Sequence, residues 1–215
     1  MCFGRRDRTG SAMRTRFTIV LFTLALIAPA VADPFSDLSK TGACFHRTYD
    51  AGHLKKIPRQ QFTSMTVWIK GDAEETRQGS GNVGLGLTRR GDPQALFLAA
   101  GCEWSEFKTA PDWMKTFKKK AGAGCITSAV PDVFRDVSSA EEGGAVVLDP
   151  SADGKTMTVH LDDGQVMVKR ADRGRKISVK LGDDDRVFLL RRTDAKACES
   201  VKDAVTTLEP ESGKR

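Results

Sequence analysis

Three histidines, His46, His53 and His160, carry all the imidazole chemistry this chain has. His46, Asp50 and His53 lie close enough in sequence to meet around a metal ion. Zinc hydrolysis would place two histidines four apart on one helix face with a glutamate between them, and no such run occurs. The three are therefore expected as surface groups, with His46 on a strand and His53 in a polar loop, and no metal ligand is assigned. Asp149-Pro150-Ser151-Ala152-Asp153-Gly154 opens like a calcium loop, but the twelfth position, which must supply a bidentate glutamate, is His160. That run is expected to be a hairpin turn. Asp183-Asp184-Asp185 is likewise expected to be a solvated turn.

Nucleophilic and cofactor chemistry find no frame either. Gly79-Ser80-Gly81 lacks the spacing of a nucleophile elbow. Gly84-Leu85-Gly86 sits in a β-like run with no third glycine and no helix start behind it, so it does not cradle a phosphate. No catalytic residue and no cofactor is assigned, and the expectation is a protein that is not an enzyme. One patch suits recognition: Trp113 and Phe117 interleaved with Lys115, Lys118, Lys119 and Lys120. Such a cluster docks an acidic partner or forms an ordinary solvated face. Of the other tryptophans, Trp68 is expected on the core face of its strand and Trp104 against a disulfide.

The cysteines are Cys2, Cys44, Cys102, Cys125 and Cys198. They contain no C-x-x-C pair and no closely spaced set of the kind zinc requires. The four from Cys44 onward make an even count, which reads as two disulfides in an oxidising compartment. Two connectivities stand out: Cys44–Cys102 with Cys125–Cys198, or Cys102–Cys125 with Cys44–Cys198. The second is preferred, because it closes the shorter loop and a closed barrel brings its first and last segments together.

The start of the chain supports that compartment. Arg14 and Arg16 precede an apolar run, Phe17 to Ile27, and Ala30-Val31-Ala32 offers a small-x-small cleavage site, so residues 1–32 read as a signal peptide. The run is shorter than the roughly 20 residues of a membrane span. Met13 is an alternative start. Charge follows the same division. Taking five arginines and Asp7 away with residues 1–32 leaves 29 basic and 27 acidic residues from 34 and 28, a net of +2 where the whole chain carries +6. The signs are interspersed, which argues against nucleic acid as a partner.

The elements that must position these residues are short and β-like. Apolar, β-branched runs at 45–49, 62–69, 83–88, 95–100, 145–148, 157–161, 165–169, 177–181 and 187–190 are punctuated by Gly, Asn and Asp. They predict a mainly β fold, an antiparallel β-barrel or sandwich of about eight short strands. Residues 103–124 form a helical or irregular central crossing. The run at 165–169 is expected to pair with 157–161 across Asp162-Asp163-Gly164. Residues 33–42 read as a polar lead-in, 33–200 as one domain and 201–215 as a charged, unordered tail. Thr63-Ser64-Met65-Thr66-Val67-Trp68 echoes Lys155-Thr156-Met157-Thr158-Val159-His160, the trace a duplicated half-barrel would leave.

Three patches resemble a family of small exported bacterial proteins with no established function. These are Cys44 with Tyr49-Asp50-Ala51-Gly52-His53-Leu54, Pro58 and Gln61; Gly101-Cys102-Glu103-Trp104; and Asp184-Asp185-Arg186-Val187-Phe188-Leu189-Leu190 leading to Cys198. The resemblance implies a secreted, disulfide-bonded β domain and no catalytic residues. The functional expectation is a periplasmic or secreted protein that binds a partner protein or envelope component through its loops, with no membrane span after cleavage. The alternative is a carrier of a small molecule or lipid inside the barrel. Inward-facing side chains separate the two: bulky apolar residues mean a filled scaffold, small or polar ones an open pocket.

Overall fold

A computed structural model describes residues 33–72, 80–109, 119–128, 143–169 and 175–207. The signal-peptide reading of 1–32 lies outside them. The described residues form ten strands: β1 (Ala43–Thr48), β2 (Phe62–Ile69), β3 (Ser80–Arg89), β4 (Asp92–Glu106), β5 (Ala121–Ser128), β6 (Ala145–Pro150), β7 (Thr156–Leu161), β8 (Gly164–Lys169), β9 (Arg175–Lys180) and β10 (Val187–Thr193). Eight of them, β1 to β7 and β10, close an antiparallel barrel in which each strand pairs with the next and β10 returns to β1. Closure removes the exposed edges that an open sheet would have to protect.

The hairpin β8–β9 is an insertion, and it corrects one expected pairing. β8 pairs with β9 and, through Leu96↔Lys169 and Phe97↔Val168, with the start of β4. It does not pair with β7, whose second edge is taken by β10. β4 can serve both neighbours because it is long: its second half pairs with β5 and its first half with β8. The central crossing is correspondingly shorter than expected, since β4 runs on to Glu106 and β5 begins at Ala121. The internal echo does not mark half-barrels. It aligns β2 with β7, whereas a simple repeat of four strands would align β2 with β6.

Inside, side chains alternate as the strand period requires. Phe45, Met65, Val67, Leu85, Leu98, Leu148, Val159, Phe188 and Leu190 belong to one core whose members show almost no exposed surface. Eight strands leave an interior just wide enough for side chains of this size to fill. Helix α1 (Pro34–Thr41) adds Phe35 and Leu38 to the core at the end where β1 begins. The expected polar lead-in is thus an ordered helix. Asp33 caps it by accepting from the Ser36 N–H at 2.9 Å, and Pro34 occupies the first turn, where a missing N–H costs nothing. The opposite end is built from Tyr49, Phe62 and Phe188, with Phe62 and Phe188 meeting edge to face at 6.5 Å. Helix α2 (Ala51–Lys56) lies beside it, capped by the Asp50 carboxylate on the His53 N–H.

Outside, helix α3 (Glu199–Thr207) packs on β2, β3 and β4. Val201, Ala204 and Val205 form a second apolar cluster with Phe97 and Ala99, flanked by Trp68. Residues Val201–Thr207 therefore continue the domain rather than open an unordered tail, and 208–215 lie outside the described residues. The glycines of Gly84-Leu85-Gly86 find their reason here. A Cβ on Gly86 would lie 2.7 Å from a Val201 methyl, and one on Gly84 2.9 Å from the other. Trp68 also faces this outer cluster, not the interior, because its neighbours Val67 and Ile69 take the inward positions.

Candidate functional site

The disulfides are Cys44–Cys198 and Cys102–Cys125, the preferred connectivity. Cys102 and Cys125 are direct cross-strand partners on β4 and β5 and sit within the main core, against which Trp104 is partly buried. Cys44 lies outward on β1, and its partner Cys198 closes a short 3-10 turn, Ala195–Cys198, that leads into α3. Asp194 caps that turn by accepting from the Ala197 N–H. No cysteine of the four is left as a thiol, so these residues offer structural cross-links and no nucleophile.

The expected recognition patch is only partly visible. Trp113, Lys115, Phe117 and Lys118 lie outside the described residues. Lys119 is committed to Asp149 at 2.7 Å, beneath the outer face of β6, and Lys120 is exposed. The carboxylate of Asp149 is 11% exposed, and His160 on β7 is buried nearby. Burial holds the His160 imidazole below its usual range; Asp149 opposes that shift and Lys119 adds to it. Lys119 is thus an exposed cation paired with a mostly buried carboxylate on the barrel wall.

His46, Asp50 and His53 do not converge. His46 bridges Thr66 and Thr48 on the outer face of β1 and β2, at 2.8 and 2.9 Å. His53 is on α2, its ring 4.6 Å from that of Tyr49 and its Nε2 3.0 Å from the Gln60 amide oxygen. Among the described residues no three His, Cys, Asp or Glu side chains gather as a metal site. Asp149–Gly154 begins at the end of β6 and forms the expected hairpin turn. Gly154 adopts a positive φ of 64°, and the Asp153 carboxylate accepts from the Ser151 hydroxyl and the Lys155 N–H.

Asp183-Asp184-Asp185 departs from the solvated turn expected of it. The three form a 3-10 turn in which Asp185 has no exposed surface. Its carboxylate accepts from the backbone N–H groups of Gln61 at 2.9 Å and Phe62 at 3.2 Å, tying the β9–β10 connection to the start of β2. Burial raises the Asp185 carboxyl above its ordinary range; the two N–H bonds oppose the shift, Asp184 adds to it and Arg89 opposes it. Burial also raises Tyr49, against the Arg47 guanidinium 4.8 Å over its ring and with a contribution from Asp185. This end is a polar clamp, and its groups are spent on one another.

An opening among the described residues lies at the other end, beside Cys44–Cys198. It is a groove of about 630 Å³ between the start of β1, the ends of β2 and β10, and the middle and last turn of α3. Its lining includes half-buried Trp68, the charged residues Lys70, Arg192 and Lys202, and Thr41, Thr193 and Thr206. Its lining comes from four separate stretches of chain, which is why no linear motif announced it. A second cleft of about 490 Å³ runs along β8 and β9, lined by Gly143, Gly144, Asp163, Gln165, Ser178 and Lys180. There Gln165 is spent on Thr127 and the Ala145 carbonyl. Of these two clefts, the groove beside Cys44–Cys198 is the larger.

No family model, no curated protein and no solved structure matches this chain. The three sequence patches and the likeness they carry therefore rest on the quoted residues alone.

Proposed function

We propose that this protein is an exported binding module, acting in the periplasm or outside the cell by holding a partner protein or envelope component on its outer surface. The observation that carries the reading is the filled interior. Phe45, Met65, Leu85, Leu98, Leu148 and Phe188 occupy the space in which an eight-stranded carrier would hold its ligand. With the interior taken, a ligand has only the loops and grooves of a rigid scaffold, where binding residues are disproportionately found. Two disulfides fit an oxidising compartment. Among the described residues no helix is long and apolar enough to cross a membrane.

Native mass spectrometry of the protein purified from an exporting host tests this reading. The expected result is a single mass, lower than the reduced chain by the four hydrogens that two disulfides remove. A small molecule or lipid released on unfolding overturns it in favour of a carrier.

A further inference from the structure

We infer that the free edge of β9 is a strand-addition site for an extended acidic segment of a partner protein, a deepening that rests on the partner-binding reading above. β9 ends the sheet order and pairs only with β8. The phase of that ladder decides which of its backbone groups are left over. The Leu181 N–H donates to the Asp163 carbonyl at 2.7 Å. In the register Gln165↔Val179 and Met167↔Ile177, the backbone groups of Val179 and Ile177 therefore face β8. Those of Ser178 point the other way, and they have no partner among the described residues. The Lys180 carbonyl, which shares that direction, already accepts from the Gln61 side-chain amide at 3.3 Å. The chain satisfies one group of this edge and leaves those of Ser178 open.

An unpaired strand edge is a template for another chain, and space and charge say which chain fits. Ser178, Val179 and Lys180 line the cleft of about 490 Å³ together with Gly143 and Gly144. Val179 is buried in the main core and Ile177 packs against it, which holds the strand in place, while Ser178 and Lys180 are exposed. β8 and β9 contain Lys169, Arg175, Lys176 and Lys180 and no acid. That is a net of +4, where residues 33–215 together carry +2. Asp163, the acid of the cleft, is paired with Arg186 at 3.3 Å, whereas Lys180 has no acidic partner among the described residues. A carboxylate opposite Lys180 on an added strand meets a cation that the chain leaves unpaired. A second copy is the weaker occupant, because self-pairing centred on Ser178 sets Lys176 opposite Lys180 twice over. Anionic lipid is weaker too, since it brings no backbone to Ser178.

The test is an NMR titration of the full exported protein with acetyl-Glu-Val-Thr-Val-Glu-amide. In the register that sets its Thr opposite Ser178, its two Glu residues lie opposite Lys176 and Lys180. Saturable shifts are expected at the amides of Ser178, Gly143 and Gly144, with slowed hydrogen exchange at Ser178. Two control peptides carry Gln for Glu, or an N-methyl on Thr that removes its donor to the Ser178 carbonyl. Ser178→Pro removes the opposite donor and is tolerated on the free side of an edge strand. Each control peptide, Ser178→Pro and Lys180→Glu should weaken binding about tenfold or more, read at Gly143 and Gly144. Should Ser178→Pro unfold, the control peptides and the exposed Lys180→Glu still decide, an unchanged spectrum elsewhere verifying that this variant is folded. Absence of saturable shifts at millimolar peptide overturns the assignment, as does equal binding of either control peptide. Binding to phosphatidylglycerol vesicles in place of peptide also overturns it. So does a Ser178 amide protected from exchange without peptide: the chain itself covers the edge if dilution leaves the protection, a second copy if dilution removes it. If the edge fails while native mass spectrometry still shows no internal ligand, partner binding stands and only this site falls.

Discussion

Asp185 shows what a single residue can hide in sequence. Three consecutive aspartates are a strong signal for water, yet the third is buried and binds the backbone of Gln61 and Phe62. Its carboxyl is raised by burial above an ordinary value of 3.8. An acid raised in the folded state binds its proton there before it does in the unfolded chain. Its contribution to stability is therefore greatest below pH 3.8 and declines as pH climbs through the window up to the raised value. Asp185→Asn keeps an acceptor for the two N–H groups and removes that titration. Urea midpoints of variant and native protein should move in the variant's favour between pH 3.5 and 7. Movement the other way would mean that the N–H bonds outweigh desolvation. The acidic turn was legible in the sequence and its burial was not, because burial depends on where β2 begins 123 residues earlier.

At the scale of elements, alternation made most strands legible, and the misses have physical causes. β5 was obscured by Ala121-Gly122-Ala123-Gly124, whose small residues read as loop but face large neighbours, Ala123 opposite Trp104. Helix α1 carries only Phe35 and Leu38 as its buried apolar face, too few to register against its polar residues. Helix α3 had the right spacing in Val201, Ala204 and Val205, masked by the charged composition around it. What holds α3 and the groove in place is the outer disulfide. Cys44–Cys198 spans 154 residues and Cys102–Cys125 spans 23, so chain entropy gives them about 5 and about 3 kcal/mol. Replacing each pair by alanine should cost more at Cys44 and Cys198, as read by denaturant midpoints. It should also loosen amide-exchange protection first in α3. Equal losses, with α3 still protected, would show that packing of Val201 and Val205 suffices.

For the molecule as a whole, the parts agree on one division of labour. The barrel interior is given to packing, the far end to a polar clamp, and a cleft lined by Trp68 and several charged and hydroxyl residues lies outside beside α3. A mainly β fold, barrel or sandwich, with two disulfides was readable from strand spacing and cysteine count, while closure and the choice between two connectivities came with the structure. The groove was not, since Thr41, Trp68, Arg192 and Lys202 become neighbours only when β10 closes on β1. The central claim is that ligands are excluded from the interior, and Met65, Met157 and Met167, all without exposed surface, are its natural reporters. The most direct measurement is a methyl NMR titration of these three with dodecanoate. The filled barrel requires their resonances to stay unmoved at every concentration; saturable shifts of all three would place the ligand inside and contradict it.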